Sequence, residues 1–403
     1  MSLDILIAPN SSESFFEGVW EKRALHIARN DPDYFGFLRE DINLEQVIWK
    51  TCRSWGDVSL ARAHTNYEAA PYAALSPNVS TIRKALADDY TVVINNLERK
   101  SIRVAEFCRN VEKNLYFNAI VNLYFTKANT QGLNYHYDTE DVFILQIEGK
   151  KEWRIYDVRA DLPLTDETYQ QPDCDSSSFQ TFELCPGDVL YIPRGVVHEA
   201  HALEQDSLHL TLTVSVVRWA SVLHNLIDIA SRHDVEFRKA VDIDLLRTNE
   251  VSSAHSLVNT LLERISSQEY LSVSVSEIQD RLLADKARLP STADDDVQVG
   301  SVVGVAPDQV HLLTRSHDGA LFLKFIGASI EVSDDLEEVI RFICQRKTFI
   351  VEELPGAFTA SEKVGLIKRL VDCGFLSVYP QASQMSKATS SDHAVLDESA
   401  VPS

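Results

Sequence analysis

Residues 134–156 read NYHYDTEDVFILQIEGKKEWRIY, and how their side chains alternate decides the fold. An extended strand turns its side chains over with period two, so positions i and i+2 share a face. On that reading His136 and Asp138 point together into one cavity and offer a ring nitrogen and a carboxylate oxygen to one metal ion. The chain then runs through FILQI, turns at Glu148-Gly149 and leaves as KKEWRIY. On the return strand Lys151, Trp153 and Ile155 share one face, while Lys150, Glu152, Arg154 and Tyr156 take the other. If the tryptophan and isoleucine face the interior, so does Lys151. An inward ammonium costs several kcal/mol unless something anionic meets it, and that something reads as a ligand.

A third metal ligand is expected downstream, in residues 185–198, CPGDVLYIPRGVVH. Pro186-Gly187-Asp188 reads as a turn, Val189 to Ile192 as a buried strand, and Pro193-Arg194-Gly195 as a second turn that delivers His198. Two histidines and one carboxylate on one face of a metal suit non-haem Fe(II), with three coordination positions left open. A lone H-x-D is a weak signal, since most such pairs are ordinary surface residues. The inward lysine and the strand ending in Gly-x-x-His give it weight.

The segment NLYFTKANTQGLNYHYDTEDVFILQIEGKKEW resembles the JmjC-type, cupin-like 2-oxoglutarate oxygenases, and within them the ribosomal oxygenases. The resemblance rests on Asn122, Tyr124, Gly132, His136, Asp138, Asp141, Phe143, Gln146, Gly149, Lys151 and Trp153. It continues through Pro186, Gly187, Asp188, Tyr191, Pro193, Gly195 and His198. It implies that His136, Asp138 and His198 bind Fe(II) and that Lys151 takes the distal carboxylate of 2-oxoglutarate. Asn122 and Tyr124 would line the same pocket, with Thr213 of HLTLT beside Lys151. Some bacterial members carry arginine at the Lys151 position; lysine keeps the charge without the bidentate fork.

The fold expected is α+β: a double-stranded β-helix of the jelly-roll, cupin and JmjC kind, with its ligands on strands around one mouth. Residues 1–218 would form this oxygenase domain. SSESFFEGVW opens the helical start expected over residues 11–49, its serines suited to an N-cap. Residues 91–95 read as a strand before a helix through 104–111, and 157–180 as a polar connecting loop. His26 reads as structural, and His201 and His209 are left out of the metal set, although His209 shares a strand face with Thr211 and Thr213. From Trp219 to residue 300 apolar residues recur at helical spacing, with Leu257, Leu261, Leu262 and Ile265 as one stripe. By resemblance this is a helical dimerisation region. Residues 301–380 look like the family's C-terminal winged helix, including a helix capped by Thr359 with Glu362 three residues on. Residues 381–403 read as a disordered tail.

With 60 acidic against 38 basic residues the chain carries a net charge of −22, which repels phosphate backbones and anionic membranes and suits a basic protein or peptide substrate. An acidic balance also serves solubility alone. The winged-helix segment, residues 328–380, has six basic and nine acidic residues, so nucleic acid is not expected as a partner. Six scattered cysteines without a C-x-x-C suggest reduced thiols in a cytoplasmic protein. No signal peptide is evident at the N-terminus, and no apolar run approaches spanning length, so no membrane is expected.

The activity implied by the resemblance is Fe(II)-dependent oxidation, with 2-oxoglutarate and O2 as co-substrates, giving succinate, CO2 and a hydroxylated side chain. The target would be an arginine or histidine of a ribosomal protein, and the enzyme a homodimer. The same residues would serve a tailoring oxygenase acting on a peptide natural product. Histone-type lysine demethylation ranks below both, because the whole-chain layout looks ribosomal. A metal-bound cupin that regulates through its winged helix without turnover is the non-enzymatic alternative.

Overall fold

The structure, a computed structural model, describes residues 3–63, 72, 75–165, 170–174, 178–248, 251–284, 286 and 297–379. The expected disordered tail and part of the connecting loop lie outside them. The chain packs as two compact units: residues 1–225 with 285–287, and residues 226–284 with 288–403.

In the first unit the strands are β1 (Leu25–Ile27), β2 (Val58–Ala61), β3 (Thr91–Ile94), β4 (Asn118–Thr126), β5 (Asp141–Glu148), β6 (Lys151–Arg159), β7 (Phe179–Leu184), β8 (Val189–Ile192), β9 (Val196–Ala202) and β10 (Ser207–Ser215). Among the described residues the α-helices that accompany them are α1 (Asp4–Ile7), α2 (Ser12–Gly18), α3 (Gly36–Arg39), α4 (Leu44–Thr51), α5 (Val79–Ala87) and α6 (Ile102–Leu115). Ser11 caps α2, its side chain accepting from the Ser14 N–H. The continuous helical start expected over residues 11–49 is corrected: β1 interrupts it, because Leu25 to Ile27 pair with β8. The expected loop shortens too, since β6 runs to Arg159 and β7 begins at Phe179.

Seven strands form one sheet in the order β1-β8-β5-β10-β4-β3-β2, and β7-β6-β9 form a second. Alternation divides the large sheet's side chains between two cores. Val121, Leu123, Phe143, Leu145, Leu208, Leu210 and Leu212 pack with Phe107, Val111 and Ile48 of the helices. Val142, Ile144, Leu190 and Ile192 turn the other way, against Trp153, Ile155 and Leu184 of the small sheet. β5 is therefore buried on both faces, which explains its unbroken apolar run. The result is a cupin-like β-sandwich with helices on one side.

The β5–β6 connection passes the chain from one sheet to the other. Gly149 there has φ +64°, and a Cβ would sit 2.0 Å from the Asp206 carbonyl oxygen, so only glycine fits. Gln146 braces the turn, its amide nitrogen donating to the Glu148 carbonyl and to Ser207 Oγ.

The second unit holds most of α7 (Trp219–His233), then α8 (Ile243–Thr248), α9 (Ser252–Ile265) and α10 (Gln268–Ala284). In α9 Ile265 is buried while Leu257 and Leu262 stay exposed. Six further strands follow: β11 (Val302–Val305), β12 (His311–Arg315), β13 (Leu321–Phe325), β14 (Ala328–Val332), β15 (Phe349–Ile350) and β16 (Leu376–Tyr379). They make two three-stranded sheets, β15-β11-β16 and β12-β13-β14, packed with α11 (Glu337–Gln345) and α12 (Ala360–Asp372) around Val303, Leu323, Ile340, Ile343 and Ile367. Thr359 and Glu362 form the expected capping box on α12. No helix among the described residues is long and apolar enough to cross a membrane.

Candidate active site

His136, Asp138 and His198 come together between the two sheets, with one ligand atom from each lying within 4.8 Å of the others. His198 is delivered by β9 as expected. His136 and Asp138 are not in a strand, which corrects the opening expectation. They sit in a loop stitched to β9 by a single antiparallel bridge: the His136 N–H donates to the His198 carbonyl at 3.0 Å, and the His198 N–H returns to His136 at 2.8 Å. The Gly195 N–H holds the Asp138 carbonyl at 2.8 Å. The two side chains still share a face, because the bridge imposes extended backbone locally.

Both imidazoles are aimed. His136 Nδ1 lies 2.8 Å from the Asn134 carbonyl oxygen and His198 Nδ1 lies 3.0 Å from that of Val196. A carbonyl only accepts, so each Nδ1 carries the proton and each Nε2 turns its lone pair toward the other ligands. His136 Nε2 is 3.9 Å from Asp138 Oδ1, and His198 Nε2 is 3.6 Å from Oδ2. Burial, and then His136, lowers the His198 pKa to about 4, with Asp138 opposing. His198 therefore stays neutral, as a ligand must.

Lys151 faces inward with Trp153 and Ile155, as the alternation predicts, and is 4% exposed. Its ammonium donates to Thr126 Oγ1 at 3.0 Å, and Thr91 Oγ1 donates to the same hydroxyl at 3.0 Å. No carboxylate among the described residues forms an ion pair with Lys151, and burial drives its pKa down to about 7. The motif's Gly132 is explained by the same hydroxyls: a Cβ there would lie 2.4 Å from Thr91 Oγ1.

One cavity is lined by the three metal-ligand candidates together with Lys151, Tyr124, Trp153, His209 and Thr211. Tyr124 is among the residues lining this cavity. Asn122 shares its strand face opposite Thr211, and its side-chain oxygen accepts from the Asn96 N–H at 3.0 Å. Thr213 sits further along β10, opposite Ile120 and Val142, and is not part of the lining; Thr126 stands beside Lys151 instead. Thr91 lines the cavity without a signal in the sequence, and His209, whose strand face with Thr211 and Thr213 allows a place near the pocket, lines it too. Thr126 lies on the Asn122 and Tyr124 face by period two and touches Lys151 without lining the cavity.

Other motif residues build the scaffold. Buried Asp141 accepts from Tyr191 Oη and from the Arg194 guanidinium, each at 2.6 Å, and Arg194 also bonds Glu21. Asp188 accepts from the backbone N–H groups of Arg29 and Cys185, with His26 3.3 Å away. His26 is thus structural. His201 lies 3.9 Å from Glu199 and is not among the grouped metal ligands.

Residues 95–222 match the JmjC domain family. The bifunctional lysine-specific demethylase and histidyl-hydroxylase NO66 of Dictyostelium discoideum is 30% identical over 257 residues, covering 59% of this chain and 48% of that protein. Human ribosomal oxygenase 1 is 30% identical over 255 residues, covering 60% of this chain and 39% of the other. The chain thus spans about half the length, or less, of these curated relatives. Among solved structures, Escherichia coli ycfD superposes with a TM-score of 0.60 at 16% identity, covering 92% of this chain and 98% of that one. A structure of the same ribosomal oxygenase in complex with cobalt and 2-oxoglutarate gives 0.55 at 16% identity, over 92% and 99%. This likeness shows a shared fold. Over residues 95–222 the chain is thus similar to the JmjC domain family, and over about three fifths of its length to the ribosomal oxygenases.

Proposed function

We propose that this protein is an Fe(II)- and 2-oxoglutarate-dependent oxygenase that hydroxylates an arginine or histidine side chain of a ribosomal protein. The observation that carries the reading is the pairing, in one cavity, of a two-histidine, one-carboxylate cluster with a buried lysine that has no carboxylate partner among the described residues. The donor set fits Fe(II): two imidazole nitrogens and a carboxylate, with the rings aimed by hydrogen bonds to Asn134 and Val196. The substrate class is supported by the relatives' names and by the net charge of −22, which suits a basic target.

His136, Asp138 and His198 would hold the metal, which when bound supplies oxidative decarboxylation of the 2-oxo acid and hydroxylation chemistry. Lys151, steadied by Thr126, would draw in the far carboxylate and set how deeply the co-substrate sits. Trp153 and Ile144, both buried, give the cavity an apolar wall, which strengthens that attraction. Asn122 and Tyr124 lie on the strand face toward the cavity, Tyr124 lining it, and would complete the co-substrate pocket.

The remaining layout belongs to the same proposal: an oxygenase domain over residues 1–218, a helical dimerisation region over 219–300 and a winged helix over 301–380, in a cytoplasmic homodimer. Exposed Trp219, Leu223 and Ile227, spaced one helical turn apart on α7, support a dimer contact, as do Leu257 and Leu262 on α9. The strand and helix order from β11 to β16 supports the winged helix. Conversion of 2-oxoglutarate to succinate by the iron-loaded protein tests the reading, and intact masses of ribosomal proteins from a deletion strain identify the target. Absence of succinate with every candidate substrate would favour a metal-bound regulatory module.

A further inference from the structure

Two polar atoms in the wall of the same cavity have no hydrogen-bond partner among the described residues: Trp153 Nε1 and His209 Nδ1, in residues 5% and 2% exposed. Leaving a buried N–H unpaired costs about 1–3 kcal/mol, so such atoms in a pocket wall point to a missing ligand atom. The two rings meet edge to face, with centroids 5.6 Å apart. Lys151 Nζ lies 5.9 Å from the Trp153 ring. His209 is further pinned by stacking on Tyr124, 4.8 Å away and nearly parallel, with its backbone fixed between β4 and β5. It is not free to swing toward another partner.

The identity of the missing atoms follows from the chemistry of the donors. An indole N–H only donates and an ammonium only donates. Burial, and then the charge of Lys151, holds the His209 pKa well below its ordinary value, so this imidazole is neutral and keeps one N–H to give. A group that receives from all three must be rich in acceptors and carry one negative charge to match one ammonium. A carboxylate meets both conditions; water or a neutral amide meets only one.

We infer that His209 and Trp153, together with Lys151, form the cradle for the distal carboxylate of the co-substrate, with His209 Nδ1–H and Trp153 Nε1–H each donating to it. The inference rests on the oxygenase reading and deepens it, since it makes the preference for a dicarboxylic 2-oxo acid a property of three residues rather than one. It also gives a role to a histidine that lies outside the metal set. Because both partners of Lys151 are uncharged, the cradle's net charge is set by the lysine alone.

The test is equilibrium binding to the full-length, Mn(II)-loaded protein, by calorimetry for 2-oxoglutarate and by displacement for 2-oxobutyrate, which lacks the distal carboxylate. His209→Phe keeps a flat ring against Tyr124, and Trp153→Phe keeps an aromatic ring in the wall; each removes one N–H. Each is expected to weaken 2-oxoglutarate by about tenfold, in line with the loss of a hydrogen bond to a charged group. Binding of 2-oxobutyrate and of Mn(II) should stay within about twofold. Equal weakening of both 2-oxo acids would show that the rings only shape the pocket, and unchanged 2-oxoglutarate binding would show that the N–H groups do not meet it. Either result overturns the inference while leaving the oxygenase reading intact. Wild-type protein that binds neither acid would instead remove that reading, and this one with it.

Discussion

Lys151 Nζ lies 3.0 Å from Thr126 Oγ1, and that hydroxyl is the neutral stand-in for the counter-ion the lysine lacks. A hydroxyl can accept from an ammonium but cannot balance its charge. Lys151→Ala should therefore raise the apparent KM for 2-oxoglutarate at least ~10-fold, because losing one partner of a buried charge pair costs ~2 kcal/mol or more. Metal affinity should be unchanged, since the three ligands are untouched. Lys151→Arg should retain part of the activity. Steady-state kinetics with a metal titration checks all three expectations, and an unchanged KM for the alanine variant would count against this anchor.

The depressed pKa gives a second prediction with a definite sign. Lys151 titrates at about 7 in the ligand-free fold, against an ordinary 10.5. Between those values the unfolded chain holds a proton the folded chain has given up, so the lysine's contribution to stability improves as pH rises from about 7 toward about 10.5. A bound carboxylate reverses the preference by favouring the ammonium. Binding of 2-oxoglutarate at a pH of about 8 should therefore take up close to one proton, and at about 6 almost none. Calorimetry in buffers of different ionisation enthalpy reads this number directly.

How much of this was legible follows from where side-chain period carries information. The inward turn of Lys151, Trp153 and Ile155 was readable because β6 is a regular strand with one wet and one dry face. The H-x-D pair was readable as a pair but not as a loop. Its extended backbone comes from one bridge to His198, a contact more than sixty residues away in the chain. β7 was hidden because FQTFEL follows a polar stretch and pairs only along its edge with β6. His209 was readable as a strand residue on the Thr211 and Thr213 face but not as a pocket donor, and Thr126 not as a partner of Lys151, since an imidazole or a hydroxyl acquires its role only when the second sheet closes over it.

The metal cluster predicts that His136→Ala, Asp138→Ala and His198→Ala each abolish turnover while the protein stays folded. Circular dichroism should match wild type, and Co(II) absorption should report weaker binding in each variant. Near-normal turnover in any one would remove that residue from the site.

Gly195 tests the scaffold behind the cluster. It has φ +85°, and a Cβ would lie 1.8 Å from the Ala160 carbonyl oxygen, while its N–H holds Asp138. Gly195→Ala should cost at least about 1–3 kcal/mol from the backbone conformation alone. Metal affinity should fall with it, because the Asp138 loop loses its tether. A variant with wild-type thermal stability and metal binding would show that the turn relaxes freely.

Assembly is tested through the exposed apolar residues of the second unit. If Leu257 and Leu262 lie in a homodimer contact, Leu262→Glu should convert a dimer to a monomer by light scattering at micromolar concentration, without loss of fold. A monomeric wild-type protein would assign that face to another use.

The most direct test of the central claim is mass spectrometry of purified ribosomal proteins incubated with the Fe(II)-loaded protein, 2-oxoglutarate and O2, with succinate measured in the same reaction. One oxygen atom should be added to an arginine or histidine of one ribosomal protein, in step with succinate, and Asp138→Ala should abolish both. Succinate without added mass on any ribosomal protein would contradict the substrate and favour a peptide natural product. Neither succinate nor added mass would contradict the enzyme itself.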